Sequence, residues 1–155
     1  MFPEIQANLS QLESILSETN SEIKPLGKTF LFDYKTGQHV LKDGKMVECT
    51  ADEAVAQWIE KVLRTAVGKY GVYVIDETDD FGIQIYNYVG EKKLHVGYIA
   101  SELKREITEQ MSNHRYIDSV ENFEANRNGR TLEITFSVKL ITGTTIEKEL
   151  AINGL

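Results

Sequence analysis

The chain has a single cysteine, Cys49, and only 2 prolines among 155 residues. One thiol has no partner for an internal disulfide, and a lone cysteine matches none of the common zinc-ligand spacings. So few prolines, beside 11 glycines, exclude collagen-like and proline-rich disordered material. Long apolar runs are missing as well: no stretch approaches the roughly 18 residues that a membrane-spanning helix needs. The opening residues MFPEIQANLS lack the basic start and continuous apolar stretch of a secretory signal, so a reducing compartment outside the secretory route is expected. Positive charge is scarce. Lys+Arg 17 against Asp+Glu 24 leaves a net charge of -7, which argues against a general binder of phosphate backbones or of acidic membrane surfaces. What is present, 41% hydrophobic and 26% charged residues, is the composition of a folded, soluble domain. A chain of this length buries roughly 68–70% of its unfolded surface, so one core suffices without a metal or disulfide.

The first periodic segment places Phe2, Ile5, Leu9, Leu12 and Leu16 at alternating gaps of three and four, a heptad seam on a helix over about 3–18. Residues 1–22 are therefore set apart as an N-terminal helix. Its seam faces either partner helices in a bundle or the chain's own domain, because two heptads are too few to specify a coiled coil. Residues 26–155 form one further domain. It opens on short alternating runs, KTFLFD, QHVL and KMVEC, separated by Thr36-Gly37 and Asp43-Gly44, which predicts a meander of hairpins. Thr50 and Glu53 then have the spacing of a capping box. Val55, Trp58, Ile59, Val62 and Leu63 predict a helix running to about residue 67, ended by Gly68.

From 69 to 97 the segments VYVI, FGIQIY and KLHVGY predict strands around an acidic turn at Asp76-Glu77-Thr78-Asp79-Asp80. A helix over about 98–112 carries Ile99, Leu103, Ile107 and Met111 on one face, with Glu102, Lys104, Arg105 and Glu106 turned outward. The chain closes on a three-stranded antiparallel unit. Leu132, Ile134, Phe136, Val138 and Leu140 point inward, and Thr131, Glu133, Thr135, Ser137 and Lys139 point outward. Helices and strands in separate blocks, with no βαβ repeat, define an α+β fold: a mostly antiparallel sheet packed with two amphipathic helices, preceded by the N-terminal helix.

Constellations for chemistry are weak. Asp80-Phe81-Gly82 matches the kinase magnesium tripeptide, but no glycine-rich loop, strand lysine or catalytic loop accompanies it. The acidic turn lacks EF-hand spacing. His39, His95 and His114 share no local ligand spacing, and no P-loop, GxSxG or GxGxxG occurs. Cys49, just before a helix start, is either a small half-buried side chain or a thiolate nucleophile. Glu53 or Glu60 with Asp76 or Asp80 would make a carboxylate pair, but among 24 acidic residues such pairs carry no information. No catalytic, metal-binding or cofactor-binding residue is assigned, and no cofactor is expected.

The segments FLFDYKTG, LRTAVGKYGVY, DDFG, ELKREITEQ, RYIDSVENFEA and LEITFSV stand in an order and spacing that resemble the XkdS-like family of phage baseplate proteins. That family is found in PBSX-type prophages and related contractile-tailed phages. The resemblance covers roughly residues 27–141 and includes Leu63, Arg64, Thr65, Tyr70, Tyr73, Asp80, Gly82, Glu102, Leu103, Lys104, Arg105, Val120 and Phe123. It departs at Ala66, where the family more often has a charged residue. More distantly the layout resembles the sheath initiator, the small lysozyme-like wedge protein of larger contractile phages.

The resemblance implies a structural baseplate wedge component that links the baseplate to the first sheath layer and is not an enzyme. Implied partners are other wedge proteins, the tail hub or tube, and sheath proteins, with no nucleic acid, membrane or small-molecule substrate. The implied location is the host cytoplasm during assembly, then the baseplate of the virion or phage-like tail. Arg64, Tyr70, Tyr73, Asp80 and Gly82 would brace a helix-to-strand junction, with Arg64 paired to a carboxylate such as Asp80. The last strand looks like a sheet edge, and Thr145, Ile146, Glu147, Lys148 and Glu149 either guard it with charge or accept a strand from a partner. A tail-associated cell-wall hydrolase and a transient assembly chaperone or adaptor are the alternatives.

Overall fold

In the computed structural model, the described residues are 24–73, 81–90 and 95–154. The heptad seam at Phe2, Ile5, Leu9, Leu12 and Leu16 and the acidic turn with Asp80 lie outside them.

Two tight turns organise the first part of the domain. Asp33 accepts the Lys35 N–H at 2.8 Å and the Thr36 hydroxyl at 3.0 Å. This closes β1 (Phe32–Asp33) onto β2 (Gln38–His39). Asp43 and Gly44, at φ 52 and 76, close β3 (Leu41–Lys42) onto β4 (Lys45–Met46) with the left-handed backbone of a type I′ turn. Backbone bonds from Leu31 to Val47, from Val40 to Leu31 and from Cys49 to Thr29 join the two hairpins into one ribbon, the expected meander.

Helix α1 (Ala51–Arg64) starts at the expected capping box: Thr50 Oγ1 accepts the Glu53 N–H at 3.3 Å, and Glu53 Oε2 accepts the Thr50 N–H at 2.8 Å. Its end differs from the expectation of residue 67. Thr65 is extended, its hydroxyl donates back to the Lys61 carbonyl at 2.6 Å, and its own carbonyl accepts the Ile83 N–H at 3.0 Å. A crossing chain thus takes the carbonyl that another helical turn would have used. The expected strands across 69–97 are also absent among the described residues, which form 3-10 turns at Gly71–Tyr73 and Ile85–Asn87. Only a single parallel bridge, Ala66 with Ile83, has ladder character there. Gly82, inside FGIQIY, and Gly90, beyond it, at φ 113 and 88, turn the backbone out of the extended region.

Helix α2 (Val96–Ser112) is capped by His95, whose Nδ1 accepts the Gly97 N–H at 3.1 Å. It buries Ile99, Leu103, Ile107 and Met111 as expected. Strands β5 (Ile117–Asn128), β6 (Thr131–Leu140) and β7 (Thr145–Asn153) form an antiparallel sheet in that order. Leu132, Ile134, Phe136, Val138 and Leu140 enter the core with Val55, Ile59, Val62 and Leu63 of α1. Removing the side chain of a fully buried Ile or Leu of this kind costs about 2–5 kcal/mol.

The helices cover one face of the sheet. The other face is polar, with one correction to the expected pattern: Ser137 is 7% exposed rather than solvent-facing. A bulge in β5 between Glu121 and Glu124 sets Asn122 at φ 52, and its Nδ2 donates to Ser137 Oγ at 3.3 Å. The start of β7 is tied to the first turn of α1. Thr144 Oγ1 donates to Asp52 Oδ2 at 2.6 Å, and Thr142 Oγ1 donates to Asp52 Oδ1 at 3.2 Å.

Candidate assembly surface

Among the described residues strand β7 pairs only with β6, so one side of it forms an edge of the sheet. Which of its backbone groups face that edge follows from the two ends of the ladder. Leu140 N–H donates to the Thr144 carbonyl, and Gly154 N–H donates to the Arg130 carbonyl. In an antiparallel pair, alternate residues spend their N–H and C=O on the partner. Ile146, Lys148, Leu150 and Ile152 therefore bond to β6, and Thr145, Glu147, Glu149, Ala151 and Asn153 turn theirs to the free side. Near the far end, the segment after the 3-10 turn closes against β7, with Gly90 N–H on the Gly154 carbonyl at 3.2 Å. Among the described residues, no backbone hydrogen bond reaches the free side of Thr145–Glu149.

The same alternation sorts the side chains. Thr145, Glu147 and Glu149 are exposed on the outer face, and Ile146 and Lys148 are half-buried on the inner face. Lys148 is thus not part of a solvated triplet with its two glutamate neighbours. Its Nζ lies 2.9 Å from Glu60 Oε2 on α1, with the lysine side chain 17% exposed. Arg64 Nε lies 2.6 Å from Glu60 Oε1, so Glu60 is held from both sides. Burial works to raise the Glu60 carboxyl, but the hydrogen bonds from Lys148 and Arg64, with their charges, hold it below the usual range.

The junction residues are only partly brought together. Arg64 pairs with Glu60 and lies 5.4 Å over the Tyr34 ring, while its expected partner Asp80 is outside the described residues. Tyr73 stacks on Phe81 at 4.9 Å with Lys61 Nζ 4.9 Å above it, and Phe81 meets Trp58 edge-on at 6.2 Å. Trp58 in turn packs on His114 at 4.5 Å, where burial, helped by the Arg115 charge, lowers the imidazole pKa. Tyr70 stands out from this row, 47% exposed. Gly82 lies against the backbone of Thr65, where an added Cβ would sit 2.4 Å from the carbonyl oxygen. Apart from Trp58 and Tyr73, this aromatic row escaped sequence reading, because its members come from elements far apart in the chain.

Two groups bear on chemistry. Cys49 accepts from Gln57 Nε2 at 3.0 Å, and burial together with the Glu53 charge raises its thiol pKa, the reverse of what a thiolate nucleophile requires. Glu106, which the periodicity turned outward, is 8% exposed, and its Oε2 accepts the Gln84 N–H at 3.1 Å. Burial raises its carboxyl above the usual range in spite of that bond. The folded chain then holds the proton more tightly than the unfolded one, so this group's contribution to stability falls as pH rises from the ordinary carboxylate value through the folded one. Glu106→Gln keeps an acceptor for Gln84. It is expected to melt with the parent at about pH 4 and above it at about pH 7. Equal differences at both pH values would assign the effect to packing instead. Among the described residues, no group of three or more His, Cys, Asp or Glu is placed to hold a metal ion, and no helix is long and apolar enough to cross a membrane.

The architecture is shared with a solved structure from Geobacter sulfurreducens described as a "putative tail lysozyme": TM-score 0.54 at 20% identity, covering 70% of this chain and 96% of that one. At that identity the likeness is one of fold. No curated protein matches the chain at a significant level. The sequence profile of the contractile injection system sheath initiators matches residues 28–143, and the chain belongs to that family. The more distant of the two resemblances read from the sequence is the one that the profile names. Membership makes the protein a component of a contractile-tail baseplate, in contact with other tail and sheath components.

Proposed function

We propose that the chain is a baseplate wedge component without an active site, and that it offers the open edge of β7 to the first layer of the sheath. The observation that carries this reading is the free side of Thr145–Glu149, which leaves backbone donors and acceptors in the geometry that β-strand addition uses. Simple edge protection accounts for Glu147 and Glu149 but not for Lys148, whose charge is spent inward on Glu60. Electron microscopy of purified tails tests the placement. Density for the domain between the baseplate and the first sheath ring is expected, and its loss from finished tails would favour a transient chaperone or adaptor.

The hydrolase alternative needs a protonated carboxyl at an accessible site. Among the described residues the carboxyl with a raised pKa is Glu106, which is covered and committed to the Gln84 N–H. Purified protein is expected neither to clear peptidoglycan nor to release reducing ends. Saturable turnover lost in Glu106→Gln or Glu60→Gln would overturn the non-enzymatic reading.

A further inference from the structure

Beside the open half of β7 lies a groove of about 370 Å³ whose walls come from elements distant in sequence. The N-terminal ribbon supplies Phe32 and Tyr34, α1 supplies Ala56, Gln57 and Glu60, and Lys148 of β7 forms the shared border. Phe32 and Tyr34 meet edge to face at 5.0 Å. Tyr34 is held further by its hydroxyl, which donates to the Gln57 carbonyl at 3.2 Å, and by the Arg64 guanidinium over its ring. These walls are fixed without an occupant. The Glu60 charge is matched by Lys148 and Arg64, and Glu53 and Asp33 are engaged in their own turns, so apart from Lys35 at its border the groove offers mainly aromatic and aliphatic surface.

The opposite side of the same edge is acidic. On the outer face Glu147 stands in a ladder row with Ser137 and Glu121, and Glu149 in a row with Thr135 and Glu124. Four glutamates thus occupy two rows in which no cation stands.

We infer that the β7 edge selects its partner by both faces of the strand that joins it: an apolar or aromatic side chain turned to the groove, and Lys or Arg turned to Glu147 and Glu149. This rests on the strand-addition reading above and narrows it to a partner chemistry. Successive residues of an added strand point to opposite faces, so one register satisfies both requirements. A slip of one residue would bring charge into the groove and apolar groups onto four carboxylates. An acidic segment, or a second copy pairing β7 to β7, would set glutamates against their own kind.

Three synthetic peptides test this on the full-length chain: alternating Lys and Leu, alternating Glu and Leu, and alternating Lys and Ser. Fluorescence anisotropy reads affinity, and amide exchange at Glu147 and Glu149 reads location. The Lys-Leu peptide is expected to bind and to slow exchange at both amides. The Glu-Leu peptide is expected to bind about tenfold more weakly, as for two exposed ion pairs lost, with the gap closing at high salt. The Lys-Ser peptide is expected to bind more weakly as well. In the Glu147→Lys, Glu149→Lys double variant the charge preference should invert. Ala56→Arg, which fills the groove, should erase the preference for Leu over Ser and keep the preference for Lys over Glu. Equal protection by all three peptides in every variant would overturn the selectivity and leave strand addition standing. No protection by any peptide would remove strand addition itself. Protection of the same two amides that rises with the concentration of the free chain would assign the edge to a second copy.

Discussion

Glu147→Pro is expected to leave the domain folded yet to stop sheath growth on otherwise complete baseplates, while Ile146→Pro is expected to damage the domain itself. The two positions are neighbours, but their N–H groups point in opposite directions: that of Ile146 to β6 and that of Glu147 to the free side of the sheet. Proline is tolerated on an edge strand where its missing donor faces outward. Glu147→Pro should therefore cost about 1 kcal/mol or less, a fall of about 2–4 °C in Tm. Ile146→Pro loses a ladder bond and a half-buried side chain, and should cost about 2–4 kcal/mol. Thermal melting of both variants, with electron microscopy of tails assembled with each, separates a lost template from a lost fold. Full-length sheaths growing on Glu147→Pro baseplates would place the sheath contact elsewhere.

Gly82→Ala is expected to be among the most destabilising single-methyl additions in the chain. The new Cβ would lie 2.4 Å from the Thr65 carbonyl oxygen, on a backbone at φ 113. That oxygen is also the acceptor of the Ile83 N–H, so relieving the clash means giving up the bridge that joins the end of α1 to the crossing segment. Steric overpacking and left-handed strain together amount to about 3 kcal/mol or more. For a domain of this size that is a fall in Tm of about 10 °C. Gly129→Ala is the control, because it has positive φ without a nearby atom. Its smaller loss gives the cost of strain alone, and equal losses for the two variants would show that Thr65 yields freely.

The parts of the fold that were legible in the sequence are those in which a local rule and the tertiary environment agree. The Thr50–Glu53 box, the apolar stripes of α1 and α2 and the alternation of β6 each state which groups need partners or burial, and each finds them within its own element or one layer away. The misread region, 69–97, has alternating apolar residues, but two glycines with positive φ interrupt it among the described positions. Ile83 is buried from a single bridge and Ile85 from a 3-10 turn, neither from a regular ladder. Alternation alone does not distinguish the two cases. Lys148 was misread for a different reason. Three consecutive charged residues suggest solvent, yet period two on the same strand already assigns the middle one to the face of Ile146 and Leu150. Its partner Glu60 lies far away in sequence, as Phe32 and Tyr34 of the groove lie far from β7. Contacts of that kind leave no trace in a local pattern, which is why the edge could be read in advance and the groove beside it could not.

The hydrogen bonds from Thr142 and Thr144 to Asp52 give the edge strand something that strands do not carry by themselves. A strand is a grating of period two, and a grating has a phase as well as a spacing. Spacing comes free with the pleat; phase has to be set by something outside the ladder. Here the first turn of a helix sets it, and β7 emerges with each carboxylate and each free donor indexed to Asp52. A template is useful only if every copy starts from the same mark, and in this domain the mark is a helix terminus rather than the edge that is copied.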